Sequence, residues 1–212
     1  MNHLMIDTET ANDIECPFCY DVGFSVFNDE GEILEKHSYV VADIFLDKEL
    51  MENAYFADKI PQYWEDIKSG KRKLRKWRTI RYIVRDVMAQ YDITTVFAHN
   101  MRFDYCSTAT TQRYLTCSKF RYFFPYGTKF CCTLKMARKV FGKDQEYNNF
   151  CKENEYTTQN GKPKMTAEIL YRFLTKDLDF VESHTGLEDA EIEMKILFAC
   201  KERLPEVDGL LW

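Results

Sequence analysis

Two carboxylates, Asp7 and Glu9, stand two residues apart at the end of a short apolar run, residues 3–8, that reads as a strand. Side chains alternate along a strand, so both acids share one face and Thr8 points away. Two neighbouring carboxylates repel, and either solvent at an exposed strand end or a hard divalent cation bound through oxygen must offset that repulsion. A second cluster, His99, Asn100 and Asp104, follows the apolar segment 94–98 (TTVFA), and the far end of a buried strand is where α/β sheets build their sites. The third group is His184 with Asp189, five residues apart. That spacing misses the H-x-x-x-H stripe of a helical zinc pair, and a loop histidine beside carboxylates suits proton transfer.

The elements that must position these groups follow from pattern. Residues 22–27 and 33–41 flank Asn28-Asp29-Glu30-Gly31 and predict a β-hairpin. Helical spacing covers 47–60 and 74–91, with Lys68-Ser69-Gly70 as a break between them. Residues 94–98 predict a strand, 104–115 a helix, 129–132 an extended segment, and 133–141 a helix ended by Gly142. Residues 143–164 carry few apolar side chains and read as a long loop or an inserted hairpin turning at Asn160-Gly161. Thr166 is an N-cap for a helix to Phe173, and Thr185 with Glu188 forms a capping box for a last helix to Arg203. Strands interleaved with helices predict one α/β domain over residues 1–212, a mixed sheet covered by helices.

Composition narrows the class. Hydrophobic residues at 45% and charged residues at 30%, with only 8 Gly and 5 Pro in 212, exclude collagen-like and low-complexity chains. The longest apolar run, residues 196–200, is far below the roughly 20 residues of a membrane span, and the polar N-terminus is unlike a signal peptide. The expectation is a cytoplasmic protein without a membrane partner. Eight cysteines are too few for a disulfide scaffold, so reduced thiols are the default, and Cys16 with Cys19 is either an idle pair or half of a structural zinc site. The net charge of −5 conceals a basic stretch at 71–85 with no acid in it. It reads as an amphipathic helix whose outer cations, Lys71, Arg72, Arg75 and Arg78 among them, are either a solvated face or phosphate contacts. Phe120, Tyr122, Phe123, Phe124 and Tyr126, interleaved with Lys119 and Arg121, could stack unpaired bases or pack a core.

Taken in order, D-x-E (Asp7, Glu9), H-N-x-x-F-D (His99, Asn100, Phe103, Asp104) and H-x-x-x-x-D (His184, Asp189) resemble the three motifs of the DEDDh superfamily of 3′–5′ exonucleases, which includes polymerase proofreading subunits and RNase T. Thr133 to Arg138 is similar to that family's D-T-L-x-x-A-R segment, with Cys132 in place of the aspartate, and Ala11 stands where the family often has glycine. A sister class carries tyrosine in the third motif, but Thr185 occupies that spacing here. The resemblance implies a ribonuclease-H-like fold and hydrolysis of single-stranded nucleic acid, DNA ahead of RNA. It implies two Mg²⁺ or Mn²⁺ ions roughly 4 Å apart. Asp7 would bridge them, with Glu9 and Asp189 completing one site, Asp104 supporting the other, and His184 as general base. Asn100 and the backbone around Thr8 would position the terminal nucleotide, and a polymerase or replication partner belongs to the same expectation. The rival readings are an exoribonuclease, a catalytically silent nucleic-acid-binding accessory module, and a zinc-binding interaction protein built on Cys16 and Cys19.

Overall fold

The computed structural model describes residues 1–116 and 122–204. The chain runs through β1 (Asn2–Ala11), β2 (Phe18–Asn28), β3 (Ile33–Val41), α1 (Ala42–Phe45), α2 (Lys48–Glu52), α3 (Ile60–Ser69), β4 (Lys73–Arg75) and α4 (Trp77–Gln90). It continues through β5 (Thr95–Ala98), α5 (Met101–Leu115), β6 (Lys129–Cys132), α6 (Thr133–Val140), α7 (Gln145–Glu153), α8 (Ala167–Thr175) and α9 (Gly186–Arg203). The strands form one mixed six-stranded sheet in the order β4-β3-β2-β1-β5-β6. The first three make an antiparallel meander, and β5, β6 and β4 join in parallel. This is the α/β fold that the sequence predicts. No helix among the described residues is long and apolar enough to cross a membrane.

The two-residue period of the strands divides the core into two layers. Leu4, Ile6, Val22, Phe24, Val96 and Ala98 pack on one face with Trp77, Ile80 and Val84 of α4 and Met101 of α5. Met5, Phe97 and Cys131 face the other side, against Ile196, Leu197 and Cys200 of α9. With helices over both faces, β2 is buried at every position but its last, which explains its near-continuous apolar sequence. The parity of Met5 carries Asp7 and Glu9 onto the α9 face, whereas Thr8 follows Leu4 and Ile6 onto the α5 face.

Several predicted boundaries shift for local reasons. The helix expected over 47–60 is split: Asn53 ends α2, a 3-10 turn spans Ala57–Lys59, and Pro61 sits in the first turn of α3, where its missing N–H costs nothing. The helix expected from residue 74 begins only at Trp77, because Lys73–Arg75 pair in parallel with β3 at the sheet edge. Residues 143–164 contain α7, capped by the Asp144 carboxylate accepting from the Tyr147 N–H at 3.0 Å, and then a tight turn bridged between Thr157 and Pro163.

The start of α9 is set by a glycine pair. A Cβ on Gly23 would lie 1.9 Å from the Leu187 nitrogen, and one on Gly186 would lie 2.6 Å from the Gly23 nitrogen. Gly23 is the cross-strand partner of Asp7, so bare backbone lets α9 descend onto the rung that carries the first carboxylate. Gly23→Ala is expected to cost about 1–3 kcal/mol through overpacking and to push the α9 N-terminus off the sheet. Thermal melts check it, and a variant with the parental melting temperature would show that the contact can relax.

Candidate active site

The site lies at the edge of the sheet where β1 and β5 end, between the N-termini of α5 and α9. Asn100 enters α5 in the left-handed region at φ 70°, a conformation that asparagine tolerates, and Asp104 follows in the first turn of that helix. Asp104 is 1% exposed, and its carboxylate accepts from the Thr8 hydroxyl at 2.9 Å. Thr8 therefore ties β1 to the first turn of α5.

On the other side, α9 places Asp189 over Glu9. The capping box expected from Thr185 and Glu188 is rewired: the Thr185 N–H donates to Asp189 at 2.8 Å, while the Thr185 hydroxyl donates to Glu188 at 2.9 Å. His184 precedes this turn with its backbone at φ 52°. Its ring stacks on Phe56 at 4.1 Å and 12°, and Lys59 donates to the neighbouring Ser183 carbonyl at 2.6 Å. The turn before α3 thus holds the histidine loop, a role that nothing in the spacing of Phe56 and Lys59 announces.

Asp7, Glu9, Asp104, His184 and Asp189 all line one cleft of about 1010 Å³, together with Thr8 and Asn100. Two further carboxylates, Glu182 and Glu193, line it as well. Sequence reasoning passed over both, although Glu193 stands four residues after Asp189 on α9 and so shares its face. Glu193 is buried and accepts from the His99 N–H at 2.9 Å. His99 itself is a brace: its Nε2 donates to the Met165 carbonyl at 2.8 Å and its Nδ1 accepts from the Thr133 hydroxyl at 3.0 Å. Burial holds its pKa down at about 4, in keeping with that neutral tautomer.

Electrostatics mark the carboxylate wall of the cleft as crowded with like charge. Burial, then repulsion from Glu193, Asp104, Glu9 and Asp189, holds the Asp7 carboxyl well above the usual range. Burial and Asp189 do the same to Glu9, and burial and Asp104 to Glu193. Burial also raises Asp104 to about 7 against the Thr8 hydroxyl, Glu182 to about 7 and Asp189 to about 6. His184 goes the other way, lowered by burial and by Lys59, which keeps its ring neutral at physiological pH. Oxygen donors crowded at this density suit a hard divalent ion, and ligand atoms of Glu9, His184 and Asp189 lie within 4.8 Å of one another.

These shifts set a pH dependence. The folded protein binds protons on Asp104, Glu182 and Asp189 that the unfolded chain, with carboxyl pKa values near 4, has released. In chelator, stability is therefore expected to be fully present below about pH 4 as far as these groups are concerned, and to fall as pH rises toward about 7. Added Mg²⁺ should flatten the decline. Melting temperatures across that range check it, and a rising metal-free curve would contradict the assignment.

The basic stretch does something else. None of Lys71, Arg72, Arg75 and Arg78 lines the cleft. Arg72 is 1% exposed and is no phosphate contact: it pairs with Glu188 at 2.7 Å, Asp66 at 2.9 Å and Asp21 at 3.4 Å. Asp21 in turn accepts from the Gly186 N–H at 3.0 Å and the Tyr63 hydroxyl at 2.7 Å, so the network anchors the α9 N-terminus from behind. Lys71 pairs with Glu188 at 2.9 Å. Arg75 and Arg78 stay exposed, the latter against Tyr82. Among the aromatic residues, Phe123 and Phe124 are core, Tyr122 and Tyr126 are exposed, and Lys119, Phe120 and Arg121 lie outside the described residues. Cys16 is exposed and Cys19 buried, both as free thiols, and no third ligand joins them among the described residues.

Comparison with known proteins agrees with this architecture. No protein-family model and no curated protein matches the sequence. Among solved structures, the chain is similar to exonuclease X in complex with 5′ overhanging duplex DNA, at 15% identity and a TM-score of 0.50, over 98% of this chain and 96% of that one. It is similar to the exonuclease I of Methylocaldum szegediense, at 17% identity and a TM-score of 0.63, over 97% of this chain and 41% of that one. A zinc-bound form of an E. coli exonuclease I–single-stranded DNA complex aligns at 15% identity and a TM-score of 0.58, again over 97% and 41%. The chain thus spans nearly the whole of exonuclease X but about two-fifths of exonuclease I.

Proposed function

We propose, for a chain that has the ribonuclease-H-like fold of these exonucleases, that it is a metal-dependent 3′–5′ exonuclease acting on single-stranded nucleic acid, with DNA favoured. The observation that carries this reading is the convergence of Asp7, Glu9, Asp104 and Asp189, drawn from three separate motifs, on one cleft beside a neutral His184. The four carboxylates would hold the divalent ions, Mg²⁺ or Mn²⁺. Two such ions, when bound, would lower the charge barrier at the attacking and leaving oxygens of phosphodiester hydrolysis.

The chain's own residues do the rest. His184 takes a proton from the water that attacks phosphorus, the P–O3′ bond breaks, the 3′ oxygen takes a proton from solvent, and a nucleoside 5′-monophosphate leaves while His184 returns its proton to solvent. Asn100 and the Thr8 backbone position the terminal nucleotide at the mouth of the cleft. Phe56 and Lys59 hold the histidine loop in register. That one neighbour carries zinc and single-stranded DNA supports the metal and the unpaired strand. A replication or polymerase partner remains part of the same reading.

The test is a panel of 5′-labelled DNA and RNA oligonucleotides, single and double stranded, incubated with Mg²⁺ or Mn²⁺. A descending ladder on single-stranded DNA is expected. Release of labelled mononucleotide first would reverse the polarity, and preference for RNA would make the chain an exoribonuclease. His184→Ala should lower turnover by roughly 10² to 10⁴ with metal affinity retained. An equal loss of metal affinity would make His184 a ligand, as its closeness to Glu9 and Asp189 also permits.

A further inference from the structure

The cleft has a second wall of opposite charge. Arg138 on α6, with Lys162 and Lys164 on the turn after α7, lines the same cavity as the carboxylates. All three are exposed, and none makes a side-chain hydrogen bond or ion pair with any described residue. Other cations near the site behave differently: Arg72 and Lys71 pair with Glu188, and Arg172 pairs with Glu168. Three cations left without partners opposite six carboxylates are poised for an anion that is absent from the protein itself.

Their backbone is held in place. The Lys164 N–H donates to the Tyr156 carbonyl at 2.9 Å, and the Tyr147 hydroxyl donates to the Lys164 carbonyl at 2.5 Å. The next carbonyl, Met165, accepts from the ring of His99, the residue whose N–H binds Glu193 in the catalytic cleft. Across the turn, the Thr158 N–H donates to the Lys162 carbonyl at 2.7 Å, and Arg172 donates to the Tyr156 hydroxyl at 2.7 Å. The turn is therefore braced against α7, α8 and the catalytic strand end at once, which fixes the two lysines relative to the carboxylates.

Resting on the nuclease reading, we propose that Arg138, Lys162 and Lys164 form a phosphate rail that holds the strand upstream of the scissile bond. The carboxylate wall, with its cations, receives one phosphate, and the basic wall receives the phosphates that precede it. The preferred substrate is then an oligonucleotide strand with several phosphates, and affinity depends on its length. The segment 143–164, which looks like an insertion in the sequence, supplies two of the three contacts and so sets substrate preference.

The experiment measures binding of a fluorescent oligothymidylate to the full chain carrying Asp7→Ala, in Mg²⁺, over a series of salt concentrations. Each phosphate contact on a single strand contributes a slope of about 0.7 log units per log salt. Adding Arg138→Gln, Lys162→Gln and Lys164→Gln should reduce the slope by about 2 and weaken affinity, with an unchanged melting temperature. Lys162→Arg/Lys164→Arg with Arg138 intact should keep the parental slope, and Lys48→Gln/Lys152→Gln, away from the cleft, should leave it as it was. An unchanged slope in the triple variant overturns the rail, as does failure of the parent to bind at all. A parent that binds with the expected slope while the unmutated chain hydrolyses nothing overturns the nuclease reading alone. Hydrolysis with an unchanged slope overturns the rail alone.

Discussion

Asp7→Ala and Glu9→Ala are each expected to abolish hydrolysis while raising the melting temperature of the metal-free protein. Both carboxyls are held above their ordinary pKa by burial and by the acids around them, so each is a destabilising charge in the absence of a cation. Removing one relieves that repulsion at a site that packing does not depend on. A gain of about 1 kcal/mol corresponds to roughly 2–4 °C in Tm for a chain of this size. The same substitution removes oxygen donors from the candidate metal site, so activity and divalent-ion stabilisation should vanish together. Melts with and without Mg²⁺, alongside the oligonucleotide assay, separate these effects. Near-parental turnover in either variant would remove the carboxylates from the chemistry, and a lowered metal-free Tm would show that they are structural.

Arg72→Ala should cost about 3–5 kcal/mol, on the order of 10 °C in Tm. The reason is what it leaves behind. Asp21 is fully buried, its pKa is pushed up by burial, and Arg72 is the cation that opposes this shift. Glu188, held down at about 2 against its own burial by Lys71 and Arg72, would lose one of its partners. Because Asp21 also accepts from the Gly186 N–H, the loss reaches the first turn of α9 and with it Asp189 and His184. Pairing Arg72→Met with Asp21→Asn should recover much of the stability, since the amide oxygen can still accept from Gly186 and no lone charge remains. A change of a degree or less in Arg72→Ala would mean that the guanidinium is solvated, and the basic stretch would again be open as a substrate face. Weakened metal stabilisation in the single variant, restored in the double, would identify the network as a positioning device for α9.

The parity of a strand is local, so Asp7 and Glu9 had to share a face wherever β1 went. Local pattern likewise puts Asn100 and Asp104 after a buried strand, and His184 and Asp189 on either side of the start of the last helix. These are statements about single elements, which side-chain periodicity reports directly. Glu193 was within reach of the same logic, one helical turn beyond Asp189, but its meaning depended on knowing that α9 crosses β1 at Asp7. That crossing is decided by Gly23 and Gly186, whose missing side chains matter only when two distant backbones meet. Arg72 shows the opposite failure. In a run of eight cations, of which Arg72 and Arg81 are buried, no local pattern tells which turn inward, and the Arg72 partner Asp21 is a single acid in a strand that is otherwise almost wholly apolar. Closing a layer of helices over that strand makes an unpaired Asp21 too costly to bury and so brings Arg72 in to pair with it.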